Sequence, residues 1–474
     1  MKPRTLLVHA HSKRQRLNVS GFYAMAPLGI ATLAACLERA GYPVELFDAN
    51  VYADDESFIV RHLRENRFDH VGISANYFSA ESAIELAAIV RRHHPETLIT
   101  LGGPVGLLNP ARFADYTQAV DLIVHGEGEE TIVDIIDALA ERRSVRNIPG
   151  TTYIRGGTVE RGPVRKPLDM DTLPRPLLEK LPLHRYRLHP PFGVYPPGQY
   201  IESARGCPYG CSFCTLPRDI RFRSPDRVVN DIADLIRRYR VREIHFVDPT
   251  FTFDRDRVIE ISRGIKRLNA KLHWTCKTRC DRVDPEMLKE MAAAGCYTIS
   301  YGIETASQPI LDFYNKEITV EEIGRGLAAT RQAGIRILAY MLIGSPGETD
   351  ETVRETMALM RRYQPDFVLY AQMLPDPGSI RAREDMQKGV YTEKEMLDYY
   401  LGGKTELLDR RGVSGIPAET INRWIAMAFN DFYARPAYIF RRLLDMRSVY
   451  DLLNYFRAAT VLLADKLGLY KTVG

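Results

Sequence analysis

The sequence predicts an α/β protein with two sheet-based regions and a helical tail, on three observations. From Thr5 to about Arg143, short apolar runs alternate with stretches of helical periodicity, the pattern of a parallel sheet covered by helices. From Gln199 to Gln372 strand and helix alternate again, about six times. Beyond Ile380 the pattern is helical throughout.

Composition narrows the class. At 474 residues the chain can bury two or three cores, and its 45% apolar and 26% charged residues are those of an ordinary soluble globular protein. A net charge of +4 is too mild to point to nucleic acid, so none is expected as a partner. Seven cysteines, three of them in one loop, make no disulfide framework, and a reducing cytoplasm is the expected location. Met1-Lys2-Pro3-Arg4 enters a strand-like run without an apolar leader, and no run of roughly eighteen apolar residues occurs, so neither export nor a transmembrane segment is expected.

In the first region the strands are expected at Thr5–Ala10, Pro43–Asp48, His70–Ala75, Leu98–Gly102 and Asp121–Val124, enough for a small doubly wound, Rossmann-like domain over residues 1–143. Helices fit at Leu28–Ala40, Glu56–Asn66, Ala80–His94, Ala111–Tyr116 and Glu129–Arg143. Ligands of such sheets sit beyond the carboxyl ends of the strands. There the turns are glycine-rich and polar: Asp48-Ala-Asn50, Ser74-Ala-Asn76, Gly102-Gly103-Pro104 and Gly126-Glu127-Gly128-Glu129. A paired glycine turn lets a flat ligand approach the backbone, and it would equally suit a nucleotide or tight packing. Residues 144–194, rich in Pro, Gly and charge with a small hairpin near Gly150–Gly157, read as a linker.

The second region, 195–379, is expected to place helices at Pro225–Arg240, Asp254–Leu268, Pro285–Ala294, Val320–Ala333 and Glu348–Tyr363. Strands fall at Glu243–Val247, Leu272–Lys277, Tyr297–Tyr301, Arg336–Ile343 and Asp366–Gln372, after an extended stretch near Gln199. A C-terminal helical domain, 380–474, reads as helices Glu393–Tyr400, Ala418–Tyr433, Pro436–Met446 and Val449–Lys466, with aromatic residues at core-like spacing. Its basic amphipathic helices, with Arg441, Arg442 and Arg447, would equally suit contact with a membrane that holds a lipid substrate.

The chain turns on Cys207-Pro-Tyr-Gly-Cys211-Ser-Phe-Cys214. Iron–sulfur clusters are normally held by a thiolate on every iron, so three thiolates leave a cubane with one open iron. The competing reading is a zinc site with a distant fourth ligand, although no second C-x2-C arm exists among Cys36, Cys276, Cys280 and Cys296. Cys276, Cys280 and Cys296 read as packing residues, with a place facing the active site as the alternative for Cys280. The arginines 218, 221, 223 and 227 after the loop read as a solvated face, or as a surface for an anionic substrate or a reductase.

The spacing of this loop, with Phe213 before its third cysteine, resembles the radical S-adenosylmethionine (SAM) superfamily. The resemblance implies a [4Fe-4S] cluster on Cys207, Cys211 and Cys214, SAM on the open iron, and a partial (β/α)6 barrel with its function at the carboxyl ends of the strands. It further implies SAM contacts from Phe213, Asp248, Arg279, Glu304, Gly344, Pro346 and Gln372. Glu304 would hold the ribose hydroxyls, which a carboxylate can accept, and Arg279 the SAM carboxylate, through a fork that lysine lacks.

The first region resembles the cobalamin-binding domains fused to one branch of that superfamily, on Pro27-Leu28-Gly29, Gly41-Tyr-Pro-Val44 and the four turns. Cobalamin contacts are implied for Asp48, Asn76, Gly102, Gly103, Gly126, Glu127 and Gly128. The Asp-x-His-x-x-Gly signature is absent, so the lower face of the cobalt is expected to meet water or an unreactive side chain, not His11. The resemblance as a whole implies a cobalamin-dependent methylase acting on a weakly activated carbon of a small metabolite or lipid-like precursor. It would work through a 5′-deoxyadenosyl radical and methylcobalamin, with a flavodoxin- or ferredoxin-type electron donor. Rearrangement, cyclisation or oxidation with the same cofactors is the first alternative, and a radical SAM enzyme without cobalamin the second.

Overall fold

The computed structural model describes residues 2–11, 23–52, 56–188, 192–374, 376–404 and 414–444. The expected helix Val449–Lys466 lies outside them. The chain divides into two compact units, Met1–Arg187 with Lys394–Lys404, and Leu188–Glu393 with Thr405–Gly474.

The first unit is built on a seven-stranded sheet: β1 (Thr5–His9), β2 (Val44–Asp48), β3 (His70–Ser74), β4 (Leu98–Gly102), β5 (Leu122–Val124), β6 (Thr151–Tyr153) and β7 (Glu160–Arg161). Its order is β2-β1-β3-β4-β5-β6-β7, parallel through β5 and antiparallel beyond. The 2-1-3-4-5 core is doubly wound, with its topological switch between β1 and β3. The strands are near-continuous apolar runs because helices cover both faces. Helix α1 (Leu28–Arg39) and helix α2 (Glu129–Ala140) lay Ile30, Ala34, Leu37, Ile132, Ile135 and Ile136 against Leu7, Val44 and Leu122.

The stretch expected as a linker departs from that expectation. Residues 144–187 belong to the first unit, because β6 pairs with β5 and the chain after it packs on α1 and β2. Leu177 N donates to Ala31 O (3.1 Å), and Lys180 Nζ to Val44 O (3.2 Å). The tail departs likewise: Lys394–Lys404 clusters with the first unit, where Tyr116 Oη donates to Asp398 Oδ1 (2.9 Å). A 3-10 helix, Pro110–Asp115, stands where an α-helix was expected.

The second unit holds six parallel strands in chain order: β8 (Gly198–Ile201), β9 (Glu243–Phe246), β10 (His273–Thr278), β11 (Cys296–Glu304), β12 (Arg336–Ile343) and β13 (Phe367–Gln372). This is the partial (β/α)6 barrel. Each crossover helix has a chemical start signal: Pro225 at N1 of Pro225–Tyr239, Asp254 and Asp284 as N-caps, and capping boxes at Thr319 and Thr349. The core lies between strands and helices, around the fully buried Trp274, Phe246, Phe251, Tyr301 and Ile299. Trp274 Nε1 donates to Ala294 O (2.9 Å), so its one polar atom is satisfied. Helix Ala418–Tyr433 packs on the barrel, where the Tyr433 hydroxyl exchanges hydrogen bonds with the backbone of Val368.

Gly103 has φ +86°, and a Cβ there would lie 2.7 Å from Ala75 O. Gly126 has φ +81° with open space around it. Gly103→Ala is therefore expected to destabilise the first unit by about 1–3 kcal/mol, and Gly126→Ala by less. Thermal unfolding of both variants, followed by circular dichroism, checks the ranking.

Candidate functional sites on the two units

The sequence-predicted residues of the first unit gather at the carboxyl edge of its sheet. Asp48 ends β2 and is fully buried, with its Oδ1 accepting from Asn50 N (3.0 Å) and its Oδ2 from Tyr186 Oη (3.0 Å). Burial beside that carboxylate drives the Tyr186 phenol well above its ordinary range. Asn76 follows β3 and caps the next turn, accepting from Phe78 N (2.9 Å) and Ser79 N (3.1 Å). Gly102 and Gly103 close β4, and Gly126-Glu127-Gly128 follows β5, where Glu127 Oε2 accepts from Leu168 N (2.9 Å). His9, at the end of β1, is held neutral by burial, which lowers its pKa against the raising effect of Asp48. The edge fits a flat macrocycle at Gly126, where even an added Cβ would meet nothing within 4 Å.

In the second unit the three cysteines share a cavity of about 640 Å³, within the range of small-molecule sites. The loop that carries them is positioned by its backbone: Cys207 N donates to Pro217 O (2.8 Å), Ser212 N to Tyr314 O (2.8 Å) and Cys214 N to Cys211 O (3.2 Å). Gly206 before it has φ +84°, and a Cβ there would lie 2.2 Å from Asp219 O, so no other residue fits. Among the described residues no three His, Cys, Asp or Glu side chains converge as a single metal ion requires. Three thiols lining one cavity are the donor set of a cubane that leaves one iron open.

Burial pushes the Cys211 thiol up, opposed by Lys316 and Arg279, and pushes Cys214 up to about 11. Both are therefore neutral as free thiols, and it is metal ligation that stabilises their thiolates.

Glu304, at the end of β11, lines the same cavity with φ +71°, a left-handed conformation that a non-glycine residue adopts only when its surroundings hold it. What holds it is Lys316, whose Nζ lies 2.6 Å from Glu304 Oε1 with both side chains buried. Arg279 also reaches the cavity. Its Nε and Nη2 donate to Asp281 (2.9 and 3.2 Å), its Nη1 to Lys316 O (2.6 Å) and its Nη2 to Glu317 O (2.9 Å). The guanidinium also stacks 3.8 Å over the Tyr209 ring. Phe213 lines the cavity edge-on to Tyr314, with centroids 5.0 Å apart.

The other predicted SAM residues stand outside this lining. Asp248 is fully buried, accepting from the backbone N (2.7 Å) and the hydroxyl of Ser203, while its neighbours Pro249 and Thr250 face the cavity. Gly344 meets Ile421 of helix Ala418–Tyr433, and its N, like that of Ser345, donates to Glu348 Oε2. Pro346 follows in the same turn. Gln372 ends β13 with its Nε2 buried and unpartnered. Lys316, Tyr209, Thr250, Lys277, Ser300 and Tyr340 line the cavity without having been singled out from the sequence. For Lys277 the signal was present: in a strand whose Trp274 and Cys276 face the core, period two turns Thr275 and Lys277 inward.

Comparison with known proteins agrees with both halves of this description. The radical SAM superfamily model matches residues 201–360, and the B12 binding domain model matches residues 17–136. An uncharacterized methyltransferase of Pyrococcus horikoshii is 28% identical, over 88% of this chain and 90% of its own. The anaerobic magnesium-protoporphyrin IX monomethyl ester cyclase of Cereibacter sphaeroides is 29% identical, over 79% of this chain and 62% of its own. The structure of the radical SAM methyltransferase TsrM from Kitasatospora setae, with cobalamin and a [4Fe-4S] cluster bound, superposes with a TM-score of 0.68 at 20% identity, over 83% of this chain and 76% of that one. A radical SAM domain and a B12 binding domain in one chain support a B12-dependent radical SAM enzyme. Its cofactors are accordingly a [4Fe-4S] cluster, SAM and cobalamin. Among the described residues no helix is long and apolar enough to cross a membrane.

Burial raises the Asp248 pKa to about 6, against the lowering effect of its bonds to Ser203. A carboxyl raised in the folded state stabilises while protonated, so its contribution is full below its unfolded pKa and is lost as pH climbs through about 6. Urea unfolding of the metal-free protein should show wild type losing stability relative to Asp248→Asn, by ~3 kcal/mol between pH 4 and 7. Lys316→Met leaves Glu304 buried without its partner and should cost about 3–5 kcal/mol, whereas adding Glu304→Gln should recover part of the loss in a double-mutant cycle.

Proposed function

We propose that this enzyme transfers a methyl group to a weakly activated carbon of a small molecule. The observation that carries the reading is the joint presence, in one chain, of a three-thiol cavity on a partial barrel and a B12-binding sheet with an open glycine edge. The Pyrococcus relative, described as a methyltransferase, supports it. When bound, the cluster with SAM supplies a carbon-centred radical, and cobalamin supplies a methyl carrier.

The residues of the chain bind, orient and exclude water. Cys207, Cys211 and Cys214 would hold the cluster, and Glu304, ion-paired with Lys316, would accept from the SAM ribose hydroxyls. Phe213 and Tyr209 would wall the cavity with apolar surface, which keeps water from a reactive carbon. Arg279, with four of its five N–H donors engaged by Asp281 and two backbone carbonyls, orients the strand end and leaves little of its fork for a ligand. Asp48, Asn76, Gly102, Gly103, Gly126, Glu127 and Gly128 would border cobalamin. A flavodoxin- or ferredoxin-type protein would supply the electron.

A second reading, oxidative ring closure without methyl transfer, is favoured by the Cereibacter cyclase, of which this chain spans about three-fifths. The two differ in how SAM is consumed. A methylase of this kind uses one SAM as methyl donor and another as radical source, giving both S-adenosylhomocysteine and 5′-deoxyadenosine. Cyclisation gives 5′-deoxyadenosine alone. Anaerobic reconstitution with iron, sulfide and hydroxocobalamin, followed by incubation with methyl-labelled SAM and a cell extract, should give bound cobalt, about four irons per chain, both SAM products and a labelled small molecule. Cys211→Ala should lose the iron and the 5′-deoxyadenosine but keep the cobalt. An unlabelled, oxidised product would support the second reading, and iron without cobalt would defeat both.

A further inference from the structure

The inference concerns what the barrel cavity recognises, and it deepens the function proposed above, on which it rests. Lys277 is the penultimate residue of β10. Its flanking residues Trp274 and Cys276 are sealed in the core, so the pleat turns Lys277 to the other face, where it lines the cavity. The side chain is open to solvent on the cavity wall, and desolvation by the surrounding protein lowers its pKa. On the neighbouring strand, in register with it, is Ser300. On the strand beyond is Tyr340, held neutral by burial, which pushes its phenol up to about 12. All three line the cavity.

Lys277 stands apart from the other cations of the lining. Lys316 is paired with Glu304, Arg279 with Asp281, and Arg383 Nη1 donates to Gly378 O (2.9 Å). Arg218 is exposed. Among the described residues no carboxylate lies within ion-pair distance of Lys277, and desolvation alone moves its pKa. The groups that face it from deeper in the barrel do not supply a counter-charge: His245 is neutral, its pKa lowered to about 3 by burial and by Lys277 itself, and Tyr200 is an un-ionised phenol. An ammonium on a concave wall, without a carboxylate partner and beside two hydroxyls, is a ready site for charge-assisted hydrogen bonds to an anion.

We propose that Lys277, with the hydroxyls of Ser300 and Tyr340, anchors an oxyanion of the substrate, a carboxylate or a phosphate, and so restricts this enzyme to acidic small molecules. Cys207, Cys211, Cys214 and Glu304 would hold the cluster and SAM on their side of the cavity, and the oxyanion would mark the side that the substrate enters. The competing anion is the carboxylate of SAM itself, and the test separates the two.

The test uses reconstituted enzyme, saturated with SAM, titrated calorimetrically with inorganic phosphate and with acetate. Wild type should bind at least one of them, and Lys277→Gln should bind it roughly tenfold more weakly, as loss of one charge-assisted contact implies. Lys277→Arg should retain most of the affinity, and iron content and SAM affinity should stay at wild-type values in both variants. Failure of wild type to bind either anion, or equal binding by Lys277→Gln, would overturn the proposal. A tenfold loss of SAM affinity in Lys277→Gln would also overturn it, by giving Lys277 to the SAM carboxylate. Phosphate favoured over acetate assigns a phosphorylated substrate, and the reverse a carboxylic acid. The readout does not use methyl transfer, so an anion site that depends on Lys277 in protein without cobalt would sink the methylase reading and leave this one standing.

Discussion

Four residues, Tyr314 to Glu317, tie the cluster loop to the strand ends of the barrel. Tyr314 O accepts from Ser212 N and Asn315 Nδ2 donates to Gly210 O (3.1 Å), both inside the cysteine loop. Lys316 Nζ meets Glu304 at the end of β11, and the carbonyls of Lys316 and Glu317 take the guanidinium of Arg279 from the end of β10. Asn315 and Glu317 both have positive φ, 50° and 51°, so the backbone on either side of Lys316 is bent in a way that non-glycine residues rarely accept. Strain of this kind persists only where surrounding bonds over-determine it. Here those bonds converge from three separate elements.

The electrostatic consequence follows from the same arrangement. Glu304 would be costly to bury alone, and Lys316 equally so, but together they are stable and leave a carboxylate fixed at the cavity wall. Their nearest titrating neighbour, Cys211, feels Lys316 and Arg279 as positive charges that partly offset its desolvation. A cluster with three thiolates brings negative charge to the side of the lining where Arg279 and Lys316 stand, the two cations that already act on Cys211. The cavity is thereby matched to its cofactors before any substrate arrives.

Much of this was legible in the sequence where the determinants are local. Strands such as Leu98–Gly102 and Arg336–Ile343 announce themselves as apolar runs, and helix starts at Asp254, Asp284, Thr319 and Thr349 carry their caps within three residues. The cysteine loop was legible for the same reason. What was not legible depends on pairing across distance. Residues 144–187 read as a linker because Pro and Gly dominate them, yet Thr151–Tyr153 finds a sheet edge at β5 that composition cannot reveal. Asp248 read as a ligand residue by its position after a strand, but Ser203, 45 residues earlier, captures its carboxylate. Lys316 was missed because its meaning lies in Glu304 and in the carbonyls beside it, not in any spacing within its own segment.

Both units place their candidate ligand residues beyond the carboxyl ends of parallel strands, and the reason is topological rather than chemical. In a right-handed crossover the loop leaving each strand is free to carry polar residues, because the next helix begins there with unsatisfied N–H groups that polar side chains must cap anyway. Asn76 shows the cap in the first unit, and Thr349 shows it in the second. Lys277 breaks this rule, since it lies within a strand and below the loops, where a parallel barrel ordinarily places apolar or small side chains in its interior. A charged residue at such a position cannot be accounted for by turn chemistry or by capping. It has to be accounted for by what fills the barrel, and that makes the interior of β10, more than any loop around it, the place where the substrate is written into this chain.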